Sequence, residues 1–442
     1  MEAALLTEAD SGKVLHAENA TIPWYPASLT KLMTAYVTLQ AVKGRRLTLD
    51  TLLTVSARAN AQQPSKMGFK AGVKLTVDNA LKMLMVKSAN DVAVVLAEGV
   101  SGSVEKFADE MNSTSKRLGM TQSSWVNPNG LPAENQITSA RDLAILARAL
   151  LHDFPEYDLY WHIPAIKFGK RVMRNYNTLI GRYDGADGMK TGFICASGFN
   201  LVASATRNGK RLIAVVLGSP SSPYRAAKAA GLLERGFHSG PLSWLAPSLG
   251  QVEALQPVNA APPDLRDEMC GPHRKRPAAE RADEEASDAD ANSPKNTLLS
   301  SLPQISDKPS TLLSPRPAAA DPIVVYAGAA KKPAESQFAA IRARLAKAGK
   351  LAKLEALQRD PHTAPMVQPR AASVRTSAST SPPSTGLQTP SLMSFAPPAR
   401  AADGAPTPLM AAPGAKPELT LASVPLPRPR PKLALKRKRG RQ

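Results

Sequence analysis

Only two cysteines, Cys195 and Cys270, occur in 442 residues. That is too few for a disulfide framework, and both are read as free thiols. The six histidines (His16, His152, His162, His238, His273 and His362) stand outside every motif, which argues against a histidine-based triad, and no Cys/His cluster has zinc spacing. A Gly-rich phosphate loop leading into a helix is also missing, so neither metal, nucleotide nor other cofactor is expected. The first residues lack the basic, apolar and small-residue succession of a secretory leader. The chemistry must therefore run on hydroxyls, an amine and backbone donors.

Aromatic residues make up only 5% of the chain and are unevenly spread: 17 of 21 lie in residues 1–240, whereas 30 of the 39 prolines lie beyond. Only the first part can build a core, and ~240 residues is near the upper size for one core. Residues 241–442 are rich in Pro, Ala, Ser and charge, which cannot repay the entropy of ordering, and are read as a mostly disordered tail. One stretch of it, 335–358, lacks proline and repeats Phe338, Ile341, Leu345, Leu351 and Leu354 at roughly helical spacing among basic residues. A basic amphipathic helix there could lie on an anionic membrane, and Ile323 to Tyr326 could form a short strand of a small wall-binding module. The alternative is a solvent-exposed helix.

Basic residues exceed acidic ones in both parts, 28 to 19 in residues 1–240 and 28 to 17 beyond. This balance suggests acidic surroundings such as anionic lipid, wall polymers or nucleic acid without distinguishing among them. The densest run, Arg428 to Arg441, is read either as a binder of such a surface or as a solvated terminus.

Local patterns give an architecture. Ala3 to Leu6 and Val14 to Ala17 flank the turn signal Asp10-Ser11-Gly12, and Asn200 to Thr206 and Arg211 to Leu217 flank Asn208-Gly209, a strong hairpin cue. A strand around Lys190 makes five. Helical patterns fill the middle at Ser28–Val42, Val77–Val86, Asp91–Glu98, Val104–Leu118 and Ala140–Leu151, the last behind the capping signal Ser139-x-x-Asp142, and a final helix spans Tyr224–Phe237. Strands at both ends around a helical middle predict an α/β fold: a five-stranded antiparallel sheet flanked by helices, a helical subdomain beside it, and a cleft between.

Three short strings stand in order: Ser28-Leu29-Thr30-Lys31, Ser88-Ala89-Asn90 and Lys190-Thr191-Gly192. They match the S-x-x-K, S-x-N and K-T-G set of β-lactamases and penicillin-binding proteins. The first string recurs at Ser103-Val104-Glu105-Lys106 and Ser113-Thr114-Ser115-Lys116, so the pattern alone decides little. Ser28 differs in its setting, after Pro23 and Pro26 and ahead of an apolar run reading as a buried helix. Residues three apart share a helix face, and burial disfavours an ammonium, which makes Lys31 a candidate base.

With Ala9-Asp10-Ser11-Gly12-Lys13-Val14-Leu15, Asn127-Pro128-Asn129-Gly130-Leu131 and Asp187-Gly188-Met189 ahead of Lys190, the chain over residues 3 to 240 resembles the serine D-alanyl-D-alanine carboxypeptidases, the low-molecular-mass penicillin-binding proteins. The resemblance implies a DD-peptidase domain at 1–240 that removes the terminal D-alanine from peptidoglycan stem peptides and is inhibited by β-lactams. Ser28 would be the nucleophile, Lys31 its base and Ser88 a proton relay, unless Ser88 merely caps the next helix. Asn90 would position the substrate backbone, Lys190, Thr191 and Gly192 its carboxylate, and the amides of Ser28 and Phe193 the oxyanion. Arg225, assigned by spacing alone, would face the terminal carboxylate; the alternative is a solvated helix charge.

The resemblance also places the protein in the periplasm or on the outer face of the cytoplasmic membrane, which requires a leader encoded upstream, and implies no nucleic-acid partner. The second domain and membrane anchor of several relatives have no counterpart in the Pro-rich sequence. Two other readings are open. A β-lactamase-like hydrolase needs an acid to position water, and Glu134 and Glu156, the acids in the relevant stretch, lack the expected neighbours. A catalytically idle wall-binding scaffold sits poorly with intact motifs.

Overall fold

The computed structural model describes residues 1–238, 249–272, 312–315, 322–330 and, singly, 333, 334, 336, 338, 339 and 343. The chain opens with β1 (Ala3–Glu8), β2 (Val14–Glu18) and α1 (Thr30–Lys43), followed by β3 (Leu52–Thr54), α2 (Ala57–Asn60) and β4 (Lys74–Thr76). Then come α3 (Val77–Val86), α4 (Asn90–Ser101), α5 (Val104–Leu118) and α6 (Ala140–Asp153). The second half holds β5 (Ala165–Phe168), β6 (Arg171–Arg174), β7 (Ala186–Ile194), β8 (Gly198–Arg207), β9 (Lys210–Ser219), α7 (Ser222–Phe237), α8 (Arg266–Cys270) and β10 (Ile323–Val324).

Five strands form an antiparallel sheet in the order β2-β1-β9-β8-β7, which joins the two ends of the domain through β1 and β9. The sequence dictates this: Leu5, Val215 and Val202 alternate with Leu6, Leu212 and Leu201 to give each strand two apolar faces, and both are buried. One face packs under α7 through Ala226, Ala230 and Leu233, and the other against α6 and the helical region. α1 is apolar on nearly all sides and buried throughout, from Thr30 to Leu39 and again at Ala41 and Val42. A helix with no polar face can only sit between layers. Its expected start at Ser28 is instead a 3-10 turn, Ala27–Leu29, running into Thr30. Ser139 caps α6 as its spacing predicts, accepting from the Asp142 amide at 3.2 Å.

The free-thiol reading of the cysteines is wrong: Cys195 and Cys270 form a disulfide with Cα atoms 5.7 Å apart. The segment from 249 to 271 runs back over the body, which brings Cys270 to the β7–β8 turn. Val14 N donates to the Gly250 carbonyl, Arg141 to that of Glu253 and Leu265 N to that of Ala196, while Val252, Leu265 and Met269 are buried. Further along, Ser314 and Arg182 exchange hydrogen bonds, and β10 adds parallel to β5. The strand expected at Ile323 thus extends a small sheet of this body, β10-β5-β6. Phe338 is fully buried, with its ring 5.1 Å from that of Tyr157 and 5.4 Å from that of Tyr160. Ala334, Ser336, Phe338, Ala339 and Ala343 have helical backbone; the rest of the helix expected at 335–358 and the basic run 428–441 lie outside the described residues.

Candidate active site

Ser28 stands on the 3-10 turn that feeds α1, and one turn later Lys31 is fully buried beneath it. Lys31 Nζ lies 2.9 Å from Ser28 Oγ, 2.7 Å from Asn90 Oδ1 and 2.5 Å from the Asn129 carbonyl oxygen. The first and second motifs therefore meet at one amine. The other two S-x-x-K strings lie elsewhere. Ser103 caps α5 by accepting from the Lys106 amide, and Ser113, Lys106 and Lys116 are exposed.

Asn90 is held at its start of α4 by a loop folded across it: its amide donates to the Ser65 carbonyl at 2.8 Å and its Nδ2 to that of Gln63 at 2.9 Å. Asp91 ties down the same loop by accepting from the amides of Met67 and Gly68. Ser88 does not cap α4, whose first turn follows Ala89 with no side-chain cap. It adopts φ +56°, a left-handed backbone that a serine enters at a cost, and its Oγ is buried without a hydrogen-bond partner among the described residues. Strain and an unmatched buried hydroxyl are each kept against stability, a combination concentrated at functional sites.

The turn Asn127-Pro128-Asn129-Gly130 presents the carbonyl that Lys31 uses. Asn127 Oδ1 accepts from the Gly130 amide, Thr34 Oγ1 donates to the Pro128 carbonyl at 2.6 Å, and Asn129 Nδ2 donates to Gln62 Oε1. Gly130, at φ +83°, leaves no room for a side chain, since a Cβ would fall 1.7 Å from the Ala27 carbonyl oxygen. The string was legible only as part of the resemblance; its role was not, because a main-chain acceptor leaves no side-chain signature.

The third motif arrives on β7, the free edge of the sheet. Gly192 passes so close to the nucleophile turn that an added Cβ would meet Ser28 N at 2.9 Å. Lys190 and Thr191 are buried; Lys190 Nζ donates to the Thr191 carbonyl at 2.8 Å, and Thr191 Oγ1 is a second buried hydroxyl without a partner among the described residues. Phe193 stacks on Phe199 with ring centres 4.3 Å apart. Arg225 is buried on the first turn of α7, not solvated. It donates to Ser222 Oγ at 3.0 Å and to the Asn200 and Tyr176 carbonyls, and its guanidinium lies 5.9 Å from the Phe199 ring centre. The hydroxyl of that same Tyr176 accepts from Lys87 Nζ at 2.9 Å, a link between the second motif's strand of contacts and α7 that no sequence pattern marks.

A cavity of about 430 Å3 is lined among others by Tyr25, Ala27, Gly130, Ile194, Glu134 and Arg266. Glu134 is exposed there, whereas Glu156 is buried in the 3-10 segment Pro155–Trp161. Among the described residues no group of three or more His, Cys, Asp and Glu side chains is placed to hold a metal ion.

An edge strand drawn across a serine that is bonded to a buried lysine, beside a helical layer, defines the penicillin-recognising serine–lysine fold. The chain belongs to the peptidase S11 family, D-alanyl-D-alanine carboxypeptidase, whose profile matches residues 1–221. It is similar to the D-alanyl-D-alanine carboxypeptidase DacC of Escherichia coli (strain K12), at 39% identity over 240 residues, covering 53% of this chain and 60% of that protein. Among solved structures it is similar to penicillin binding protein 5 from Haemophilus influenzae, with TM-score 0.51 and 36% identity over 53% of this chain and 70% of that one. Another is penicillin binding protein 6B from Escherichia coli, with TM-score 0.51 and 35% identity over 53% and 77%. The chain spans about three fifths of the length of most of the curated relatives it matches.

Proposed function

We propose that this protein is a serine-type D-alanyl-D-alanine carboxypeptidase that trims the terminal D-alanine from peptidoglycan stem peptides through an acyl-enzyme on Ser28. The observation that carries this reading is the environment of Lys31 Nζ. A neutral amine has two N–H groups and one lone pair. The carbonyl oxygens of Asn90 and Asn129 can only accept, and they engage the N–H groups. Ser28 Oγ, which lies 2.9 Å from Nζ and accepts from the ammonium, is the one of the three that can turn donor and face the lone pair in the neutral form. Burial works in the same direction by disfavouring the ammonium.

Ser28 Oγ attacks the carbonyl between the last two D-alanines and its proton passes to Lys31. The negative oxygen that forms is held by the Ser28 and Phe193 amides, donors worth about 3 kcal/mol each in comparable sites. Ser88 returns a proton to the departing D-alanine amine, and its unmatched Oγ gains a partner once substrate binds. Asn90 aligns the peptide, and Lys190, Thr191 and Arg225 hold the terminal carboxylate, with Thr191 Oγ1 as the second hydroxyl that substrate would satisfy. Gly192 permits the peptide backbone and the nucleophile turn to crowd the same edge. Water then cleaves the acyl-enzyme. β-Lactams, which offer a strained amide in place of the scissile bond, would stop at the acyl stage.

The substrate lies outside the cytoplasmic membrane, so we place the protein in the periplasm or on the outer face of that membrane. The Cys195–Cys270 disulfide supports this, since such bonds persist in oxidising compartments. The basic run at 428–441 is proposed to bind anionic membrane or wall polymer. The test is release of D-alanine from a stem pentapeptide by the full chain, which should be lost in Ser28→Ala. Release at an equal rate by that variant would refute the reading.

A further inference from the structure

Two stretches of the chain, residues 51–77 and 159–183, contain no aspartate or glutamate although the chain holds 36. The fold brings them together at the mouth of the site. The first includes the loop whose Gln62, Gln63 and Ser65 bond Asn129 and Asn90. The second includes the β5–β6 hairpin, which joins that loop through an edge-to-face contact of Phe69 and Phe168, ring centres 5.3 Å apart. Beyond the hairpin the chain leads straight to Tyr176, the partner of Lys87.

These elements carry Lys66, Lys70, Lys167, Lys170, Arg171 and Arg174. Lys66 donates to the Asn60 carbonyl; the other five are exposed, and none of the six makes an ion pair among the described residues. Arg171 is paired across the hairpin with Phe168 and so shares the face that meets the loop. The hairpin is braced from outside by β10 and by the Val325 amide, which donates to the Lys167 carbonyl at 2.9 Å. Asp91, which holds the loop, is buried, so the exposed charges of this rim are of one sign against low-dielectric walls, the arrangement that focuses charge.

We infer that this rim is a subsite for the upstream part of the substrate, and that it selects stem peptides whose internal carboxylates are free over those in which they are amidated. The inference rests on the carboxypeptidase reading and names what the same site prefers. A peptide held by its last two residues at Ser28 must leave the cleft past its rim, and a rim of unpaired cations favours a chain bearing free carboxylates. An anionic membrane would match the charge but not the position, because the cations sit on the loop that bonds Asn90 and Asn129 and on the hairpin joined to it.

The test compares D-alanine release by the full chain from two pentapeptides that differ only in their internal carboxylates, free in one and amidated in the other, with both keeping the terminal carboxylate. At ~0.01 M salt, where charges act over ~30 Å, kcat/KM for the free-acid peptide should exceed that for the amidated one by about tenfold or more, and at ~1 M salt the two should converge. Lys70→Glu with Lys170→Glu, Arg171→Glu and Arg174→Glu should reverse the preference. Should that variant fail to fold, the single variants Lys170→Gln and Arg174→Gln should each lower the ratio about two- to threefold. Equal kcat/KM for both peptides at low salt, or a preference that survives charge reversal, would overturn the subsite. So would a loss of binding to phosphatidylglycerol vesicles in the reversed variant with the peptide preference intact, which would make the rim a membrane surface. Labelling of the unaltered protein by penicillin separates the two layers: no label at Ser28 means the carboxypeptidase reading has failed, whereas label without carboxylate preference means that only the subsite has.

Discussion

Gly192 on the edge strand and Ser28 on the nucleophile turn approach so closely that a single methyl group cannot be placed between them. A Cβ at 192 would stand 2.9 Å from the Ser28 nitrogen, 3.1 Å from that of Leu29 and 3.2 Å from the Pro26 carbonyl oxygen. All three are main-chain atoms, so no side chain can swing aside, and the turn itself must shift.

Gly192→Ala should therefore slow acylation by penicillin by about 100-fold, the scale on which misplacement by ~1 Å acts on a positioned nucleophile. Stopped-flow acylation rates measure this. An unaltered rate would show that the strand does not set the position of Ser28.

Lys31→Arg keeps the charge and removes the base, because a guanidinium does not deprotonate at working pH. The acylation rate should fall by ~10²–10⁴, as is usual for loss of a general base. In the unaltered protein the rate should drop as pH is lowered, because a protonated Lys31 has no lone pair to accept the Ser28 proton. A flat profile on the acid side would remove Lys31 from the role.

What the sequence made legible was whatever repeats with a period. The five strands of the main sheet and the six long helices follow from apolar spacing and turn residues, and the Ser28–Lys31 pair follows from one helical turn. The strand pairs at 52–54 with 74–76 and at 165–168 with 171–174 are too short to show alternation, so they were not anticipated. Lys31 and the Asn129 carbonyl meet across 98 residues through a main-chain atom that has no residue signature. The attachments beyond residue 240 were hidden for a different reason. Val252, Leu265, Met269 and Phe338 are isolated anchors in Pro-rich sequence, and single buried residues without periodicity cannot be told from tail composition until the surfaces that receive them are known.

Those anchors can be weighed. Phe338→Ala empties a site between Tyr157 and Tyr160 and should cost about 3 kcal/mol, the lower end for a buried phenylalanine. Urea unfolding of the full chain reads this out; stability within ~0.5 kcal/mol of the unaltered protein would show that the segment contributes nothing to the fold.

The disulfide closes a loop of 75 residues, for which chain entropy gives about 4 kcal/mol. Cys195→Ser combined with Cys270→Ser should lower Tm, and the unaltered protein should show the same drop after reduction with dithiothreitol. If full reduction, confirmed by thiol titration, left Tm in place, the 249–271 segment would be held by its packing alone.

The central claim is that Ser28 is the residue that becomes acylated, and mass spectrometry of the intact protein after exposure to benzylpenicillin tests it most directly. The account predicts one adduct per chain, recovered on the tryptic peptide containing Ser28 and lost in Ser28→Ala. An adduct on Ser88, Ser103 or Ser113, or undiminished labelling of the Ser28→Ala variant, would contradict it.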